Sequence, residues 1–251
     1  MSRSLDIVTY NLLGLDDTRL DERTEAICRS LLLENPPDIV LMQEVVARTL
    51  HAHVLPHFAA AGFTVAPRQP VSDSHYFCVV AVRGGWKPLG AWRRPFPGSS
   101  MGRALLCLDV DWDGVPLRVC TAHLESLAEG APERRRQVRA VVEALGEHDG
   151  PAVFGGDTNL RGDRLEELGS AVDAWEAAGA PPAQRATWWP LSGRGRRMRF
   201  DRLWLGGRGA WQVADVRAGP DLKVHGMRAS DHVRLRARLS WEEAPATLRA
   251  R

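Results

Sequence analysis

Polar residues that could hydrolyse a phosphate ester follow five separate apolar segments of this sequence. They are Asn11, Glu44, His123, Asp157 with Asn159, and Asp231 with His232. One carboxylate can hold a hard divalent cation and another can take a proton from water, while amides orient both and imidazoles stabilise charge on phosphoryl oxygens. Each residue alone is more commonly a turn or a solvated strand end. Together they indicate metal-dependent hydrolysis of a phosphate ester.

The elements that must position these residues are short segments rich in Val, Leu and Ile. They alternate with longer helical patterns, which predicts a mixed α/β fold. The predicted strands cover residues 5–11, 38–43, 76–82, 104–110, 117–122, 152–154, 199–205 and 233–239. Because the polar residues stand at strand ends, we expect them to meet at one edge of the sheet structure.

Two helices are predicted between these strands. Residues 132–145 carry a Pro near the first turn and an apolar stripe, and Gly146 follows the last turn. Residues 21–33 form a second helix that stops before Pro36. With no long linker between the elements, we expect a single catalytic domain over residues 1–243 and a C-terminal tail over 244–251.

Composition and charge limit what kind of protein this chain can be. The chain has 251 residues, of which 44% are hydrophobic, so it can bury a sizeable core and is not a disordered tail protein. The 33 Lys and Arg residues exceed the 31 Asp and Glu residues by 33 − 31 = 2, so no global field draws the chain to nucleic acid. Anion binding must therefore be local.

The cysteines and the N-terminal segment bear on the compartment. Cys28, Cys78, Cys107 and Cys120 are widely spaced among apolar neighbours, without a CxxC pair, which favours buried thiols in a reducing compartment. The N-terminal segment lacks an apolar stretch, and no apolar run approaches the roughly 18 residues of a membrane span. The sequence therefore predicts a cytoplasmic protein without a membrane partner.

Five sequence blocks resemble a known superfamily of hydrolases. The blocks are YNLLGL at 10–15, MQEV at 42–45, TAHLES at 121–126, GDTNLR at 156–161 and SDH at 230–232. In this order and spacing they resemble the endonuclease/exonuclease/phosphatase superfamily. The resemblance implies a DNase I-like fold, a four-layer α-β-β-α sandwich of two mixed sheets with the active site at one edge.

Further motifs resemble the tyrosyl-DNA phosphodiesterase 2 branch of that superfamily. They are HLES at 123–126 followed by Glu133-Arg134, GGDTNLR at 155–161, Thr187-Trp188 and RFDR at 199–202. The resemblance implies a hydrolase that repairs DNA damage by cutting the 5′-phosphotyrosyl bond left by a trapped type II topoisomerase. The implied partner is DNA with a 5′-linked tyrosine or peptide, with a preference for a single-stranded 5′ end. We expect the enzyme to act as a monomer.

The resemblance also implies a role for each catalytic residue. Glu44 would bind Mg²⁺, with Mn²⁺ as a substitute, and Asp231 would help to hold the metal and orient His232. Asp157 would be the general base. Asn11 and Asn159 would hold the geometry of the attacking water and the phosphate. His123 and His232 would donate hydrogen bonds to the non-bridging oxygens as negative charge grows there.

A set of substrate-binding residues is implied by the same blocks, together with the segment from Pro95-Phe96-Pro97 to Met101 and Arg103, which also resembles that branch. The set comprises Arg103, Arg161, Trp188, Arg199, Phe200, Asp201, Arg202 and Ser230. Arginine suits bidentate phosphate contacts, and the two aromatic side chains could stack on an unpaired base. The sequence departs from the branch in two places where an Asp is expected. Gly162 follows Arg161, with Asp163 one position later, and Trp189 follows Trp188.

Two other functions remain open from the sequence. An abasic-site endonuclease, an RNA deadenylase or a phosphatase of lipid or inositol phosphates would use the same metal and base with another substrate. A catalytically silent DNA-binding protein would keep the fold alone. The HLES and RFDR blocks favour the tyrosyl branch, and the complete set of acidic and imidazole residues disfavours a silent protein.

Overall fold

Two six-stranded sheets lie face to face in the computed structural model, which describes residues 2–33, 35–71, 75–162 and 168–243. The predicted tail at 244–251 and Asp163 lie outside the described residues. In chain order, the strands are β1 Ser2–Asn11, β2 Ile39–Val45, β3 Phe63–Ala66, β4 Phe77–Arg83, β5 Lys87–Pro95, β6 Ala104–Trp112, β7 Val115–His123, β8 Pro151–Asp157, β9 Val172–Asp173, β10 Asp201–Gly207, β11 Ala210–Ala218, β12 Lys223–Val224, β13 Met227–Arg228 and β14 Leu235–Glu242.

Both large sheets are mixed. The first has the order β11-β14-β1-β2-β4-β3, in which β1 and β2 are parallel and the other neighbours are antiparallel. The second has the order β5-β6-β7-β8-β10-β9, in which only β7 and β8 are parallel. Strands β12 and β13 form a separate hairpin.

Helices cover the outer face of each large sheet. The helices are α1 Leu20–Leu32, α2 Ala47–Thr49, α3 Leu55–Ala60, α4 Ala131–Gly146 and α5 Ala174–Ala177, with a π-helical turn at Leu50–Val54 and a 3-10 turn at Pro182–Gln184. Ile27 of α1 and Phe58 of α3 pack on the first sheet, and Val138 and Val141 of α4 pack on the second. The four-layer α-β-β-α sandwich implied by the sequence is therefore confirmed.

The central strands are apolar on both faces because each face meets a different layer. In β1, Leu5 and Ile7 belong to the core between the sheets, whereas Val8 and Tyr10 belong to the core under the helices. A strand covered on both faces is a continuous apolar run rather than an alternating one. These continuous apolar runs are the pattern from which the central strands were predicted.

The structure differs from the predicted elements mainly at the sheet edges. All eight predicted strands are found with shifted ends, but six further strands were not predicted: β3, β5, β9, β11, β12 and β13. The first four of these are the edge strands of the two large sheets. Strand β5 is largely exposed, and β11 alternates between exposed and half-buried residues. Because an edge strand buries only part of its surface, its sequence lacks the apolar run on which the prediction relied.

The interpretation of all four cysteines as thiols is wrong for two of them. Cys107 and Cys120 lie opposite each other on β6 and β7 and form a disulfide. Cys28 and Cys78 are free thiols. Within the described residues, no helix has both the length and the apolar character needed to cross a membrane.

Candidate active site

The carboxyl ends of two parallel strand pairs, one in each sheet, meet at the same edge of the sandwich. In the first sheet, Asn11 lies opposite Gln43, which precedes Glu44. In the second, His123 lies opposite Asp157, and Asp157 in turn lies opposite Asp201 of β10. The strand ends predicted to carry the chemistry are therefore neighbours in space.

Asn11 joins the two sheets through its side chain. Its Nδ2 donates to Asp157 Oδ2 at 3.0 Å and to Glu44 Oε1 at 3.3 Å, while its Oδ1 accepts from the Leu13 amide at 2.9 Å. Asn11 is 1% exposed, so no water competes freely for these contacts. The amide therefore fixes the two carboxylates relative to each other.

Glu44 is turned into the site by its backbone. Its φ is 55°, in the left-handed region, and the pairing of β2 with β4 shifts register between Met42 and Val45. A Cβ at Gly14 would lie 1.8 Å from the Glu44 carbonyl oxygen, so only glycine lets the loop after β1 pass this close. The local irregularity aims the Glu44 carboxylate at the cleft instead of along the sheet.

Asp157 is a buried carboxylate between two imidazoles. Its Oδ2 lies 3.2 Å from His123 Nε2 and 3.5 Å from His232 Nε2, and its Oδ1 accepts from the Asn159 amide at 3.0 Å. Burial raises the pKa of Asp157, but its interactions with the adjacent imidazoles of His123 and His232 outweigh burial and lower that pKa below its usual range. Asp157 is therefore ionised across the ordinary pH range.

His232 is held between acidic groups. Its Nδ1 lies 2.7 Å from Asp201 Oδ2, and its Nε2 faces Asp157. Burial opposes the charged ring, but the carboxylates of Asp201 and Asp157 raise the pKa of His232 to about 10. This ring is therefore a charged hydrogen-bond donor at neutral pH. The structure gives the orienting role, predicted for Asp231, to Asp201 instead.

Ser230 and Asp231 connect this histidine to the rest of the site. Ser230 Oγ donates to the Asn11 carbonyl at 2.7 Å and accepts from the His232 amide at 3.0 Å. Asp231 Oδ2 accepts from Trp188 Nε1 at 2.7 Å. The Ser230 side chain is thus occupied by backbone groups, which differs from the substrate contact predicted for it.

The acidic residues of the site fit a hard divalent cation. Oε2 of Glu44 and Oδ1 of Asp231 are buried and have no hydrogen-bond partner. In the described part of the chain, no group of three or more His, Cys, Asp or Glu side chains could hold a metal ion unaided. Mg²⁺ commonly takes one or two protein carboxylates and completes its shell with water and substrate phosphate, so the oxygen ligands present suit it.

An open cleft of about 570 Å³ lies in front of these groups. Its floor contains Glu44, Asp157 and His232, and its walls are basic, amphipathic or apolar side chains. The wall residues include Ser126, Leu127, Arg161, Trp188, Arg196, Met198 and Phe200. The rings of Trp188 and Phe200 lie 5.1 Å apart. Trp188, Phe200 and Arg161 therefore line the cleft, and their contact with substrate stays a prediction.

Arg103 contacts the cleft through Ser126, which was not among the predicted site residues. Its Nη2 donates to Ser126 Oγ at 3.2 Å, and its guanidinium lies 4.8 Å from the centre of the Tyr76 ring. Its Nε and Nη1 are buried without a hydrogen-bond partner. Ser126 lines the cleft directly. Ser126 is the last residue of the HLES block, and its place in the same block as His123 is the feature of the sequence that could have identified it as a site residue.

The phosphate contacts predicted for Arg199 and Arg202 require a correction. Their side chains are 2% and 0% exposed, and both bind Asp173. Arg199 Nη1 donates to the two Asp173 oxygens at 2.8 and 3.0 Å, and Arg202 also donates to the Gly162 carbonyl. A guanidinium contacting a nucleic-acid phosphate must reach solvent, so these two arginines stabilise the fold beneath the site.

Comparison with known proteins places this arrangement in a family. The chain is 33% identical over 214 residues to tyrosyl-DNA phosphodiesterase 2 of Gallus gallus, covering 80% of this chain and 56% of that protein. It is 31% identical over 221 residues to the Mus musculus protein of the same name, covering 81% of this chain and 57% of that protein. The chain thus spans a little over half the length of these relatives.

The three-dimensional structure agrees with these relatives. A crystal structure of Danio rerio tyrosyl-DNA phosphodiesterase 2 in complex with a single-strand DNA product superposes with a TM-score of 0.83 at 29% identity, covering 94% of this chain and 98% of that chain. The model of the Endonuclease/Exonuclease/phosphatase family matches residues 8–232. The match includes every catalytic strand end described above, and this chain belongs to the Endonuclease/Exonuclease/phosphatase family.

Proposed function

We propose that this protein is a Mg²⁺-dependent phosphodiesterase that hydrolyses the 5′-phosphotyrosyl bond of protein–DNA adducts. The observation that carries the proposal is the convergence of Glu44, Asp157, His123 and His232 on one cleft. His123 lies 3.6 Å from Glu44 and 3.2 Å from Asp157, and His232 lies 3.5 Å from Asp157. The choice of bond is supported by the two relatives named tyrosyl-DNA phosphodiesterase 2. The choice of strand is supported by the neighbour crystallised with a single-strand DNA product.

Glu44 and Asp231 are the proposed metal ligands, since each has a buried oxygen without a hydrogen-bond partner. When bound, the cation supplies positive charge that polarises the phosphoryl group. Mn²⁺ is expected to replace Mg²⁺ because it accepts the same oxygen ligands.

Asp157 is the proposed general base. Its carboxylate is ionised and faces the cleft, so it can accept a proton from the water that attacks the phosphorus. The Asn11 side chain and the Asn159 amide each donate to one of its oxygens, and this fixes the direction in which it accepts the proton. In-line attack forms the new P–O bond as the bond to tyrosine breaks.

His232 and His123 are the proposed donors to the non-bridging oxygens. The raised pKa of His232 keeps a proton available as negative charge grows on the phosphoryl group. The tyrosine leaves as a phenolate, whose conjugate acid has a reference pKa of about 10, so it needs little help from an acid. The products are free tyrosine or peptide and a DNA strand with a 5′-phosphate.

The walls of the cleft support the choice of an unpaired DNA end. Trp188 and Phe200 offer aromatic faces on which a base can stack, and Arg161 offers a charged contact for the backbone. A duplex end would have to unpair to reach the same faces. We therefore propose a single-stranded 5′ end as the preferred substrate.

Two further points complete the proposal. The protein would act as a monomer, because one chain carries every group used above. It would act in the cytoplasm, although the Cys107–Cys120 disulfide removes the cysteine argument for that compartment. Both points stay predictions.

One side-by-side assay tests the proposal. The same oligonucleotide would carry a 5′-tyrosyl group, a 3′-tyrosyl group or an abasic site, and each substrate would be incubated with Mg²⁺, Mn²⁺ or EDTA. We expect release of tyrosine from the 5′ adduct with either metal and none in EDTA. Preferential cleavage at the abasic site, or equal cleavage of the 5′ and 3′ adducts, would refute the choice of substrate. Activity that persists in EDTA would refute the requirement for a divalent metal ion.

A further inference from the structure

Arg228 is not among the residues that line the cleft, yet it binds the backbone of the segment that carries Asp231 and His232. Its Nη1 donates to the Trp189 carbonyl at 2.8 Å, and its Nη2 donates to the Asp231 carbonyl at 3.2 Å and lies 3.5 Å from the His232 carbonyl. Its Nε binds Asp221 Oδ1 at 2.7 Å. All three nitrogen atoms of the Arg228 guanidinium therefore donate hydrogen bonds.

Trp189 covers this guanidinium. The Arg228 guanidinium carbon lies 4.0 Å from the centre of the Trp189 ring, within the range of a cation–π contact. The Trp189 amide also donates to the Asp231 carbonyl at 3.1 Å. Trp189 occupies a position at which the resemblance led us to expect an Asp, so the stack is a feature of this chain. It shields the hydrogen bonds of Arg228 from water.

Arg228 thereby ties together two segments that meet at Asp231. One segment contains Trp188, whose Nε1 binds the Asp231 carboxylate, and Trp189. The other contains Asp231 itself and His232. The side chain that reaches both is anchored at the end of the β12–β13 hairpin, where its ion pair with Asp221 fixes its direction.

We propose that Arg228 is a positioning residue for the hydrolysis, acting through Asp231 and His232. A guanidinium presents its N–H groups in a rigid plane, so it sets the separation of the carbonyls that it binds. By holding the Trp189 and Asp231 carbonyls together, it fixes where the Asp231 carboxylate and the His232 ring enter the cleft. The inference rests on the proposed function, because it assigns Arg228 to the same site.

Removal of the Arg228 side chain should lower the rate of hydrolysis more than it weakens the binding of substrate. A displacement of about 1 Å in a catalytic group can cost on the order of 10²-fold in rate. With the small substrate thymidine 5′-phosphate p-nitrophenyl ester, we expect Arg228→Ala to lower kcat by about 10²-fold, while KM changes by about threefold or less. This substrate has no DNA strand, so a loss of strand binding cannot imitate the effect.

Chemical rescue separates positioning from general damage to the fold. Guanidinium ion added to Arg228→Ala should restore a saturable part of kcat, whereas the same concentration of NaCl should not. Arg228→Lys should stay impaired, because an ammonium group is a point charge and cannot bind two carbonyls in a fixed plane. The matched control is Arg208→Ala, since Arg208 is exposed and pairs with Asp149 away from the site. Its kcat should equal that of the wild type and should not respond to guanidinium.

Hydrogen exchange provides a readout that does not need a substrate. The Trp189 amide binds the Asp231 carbonyl, and the Val233 amide binds the Thr187 carbonyl at 2.8 Å. In Arg228→Ala we expect about tenfold or faster exchange in the peptides that contain these amides, reversed by guanidinium, with the α4 peptides unchanged.

Wild-type kcat in Arg228→Ala would overturn the proposal. So would a loss of kcat that guanidinium does not restore, or faster exchange spread evenly over the molecule. If the wild-type protein hydrolyses neither the ester nor the 5′ adduct, the proposed function fails. In that case the exchange of the Trp189 and Val233 peptides still decides whether Arg228 holds this segment.

Discussion

His232 Nδ1 and Asp201 Oδ2 lie 2.7 Å apart at the junction of the two sheets. His232 belongs to the segment that leads into β14 of the first sheet, and Asp201 begins β10 of the second. Because Asp201 takes one ring nitrogen, the other nitrogen of His232 must face Asp157. One buried hydrogen bond therefore sets both the charge and the direction of the imidazole.

Asp201→Asn should lower kcat by about 10²-fold or more while leaving KM nearly unchanged. The amide keeps the shape of Asp201 but removes the negative charge that raises the pKa of His232, and it permits the wrong tautomer of the ring. Steady-state kinetics on the thymidine ester measure the effect. Retention of wild-type kcat would show that His232 does not depend on this carboxylate.

Asp157→Asn should lower kcat by about two to four decades, because the amide cannot accept the proton of the attacking water. Its Oδ1 can still accept from the Asn159 amide, so the loop after β8 should keep its shape. Single-turnover kinetics on a 5′-phosphotyrosyl oligonucleotide, with the fold checked by circular dichroism, provide the measurement. Full turnover in a folded variant would show that another group is the base.

Arg161→Ala should change the binding of DNA, whereas Arg199→Ala should change the stability of the fold. Loss of an exposed phosphate contact at Arg161 should flatten the salt dependence of oligonucleotide binding by about one contact. Loss of Arg199 should instead lower the free energy of unfolding by about 3–5 kcal/mol, because it leaves the Asp173 carboxylate buried without its main partner. Binding titrations over a salt series and urea unfolding distinguish them. The assignment of Arg199 is wrong if its variant unfolds like the wild type.

Glu125 should make stability depend on pH at the acidic end. Burial raises its pKa, but hydrogen bonds from Ser100, Ser99 and Gln137 outweigh this effect and lower the pKa below its usual value of 4.5. The protonated form is therefore favoured in the unfolded chain. The stabilisation is complete above the unfolded pKa and is lost as pH falls through the lower, folded value.

The matched variant is Glu125→Gln, which does not titrate. The free energy of unfolding, measured in urea at a series of acidic pH values, should fall more steeply below about pH 4.5 in the wild type than in the variant. Parallel curves for the two proteins would contradict the assignment. Ser99 Oγ also accepts from the Arg103 amide at 2.9 Å, so the same serine links Glu125 to the segment that carries Arg103.

The edge strands show what the sequence pattern could not reveal. The central strands β1, β2 and β8 are buried on both faces and were predicted from their apolar runs. Strand β5 has mostly exposed residues, and its backbone pairs with β6 without an apolar signature of its own. Its partner β6 is the next strand in the chain, so β5 escapes prediction because its residues are exposed, not because its partner is distant in sequence.

By itself, the sequence determined which residue types end the central strands, because a buried strand must be apolar and must stop where polar groups begin. It therefore predicted that Asn11, Glu44, His123 and Asp157 stand at strand ends. Only the tertiary structure decided their partners. The pairings of Asp201 with His232 and of Arg199 with Asp173 depend on distances between side chains that lie far apart along the chain. The energy of a buried charge depends on those distances, so the same residue types could serve the substrate, the metal or the fold.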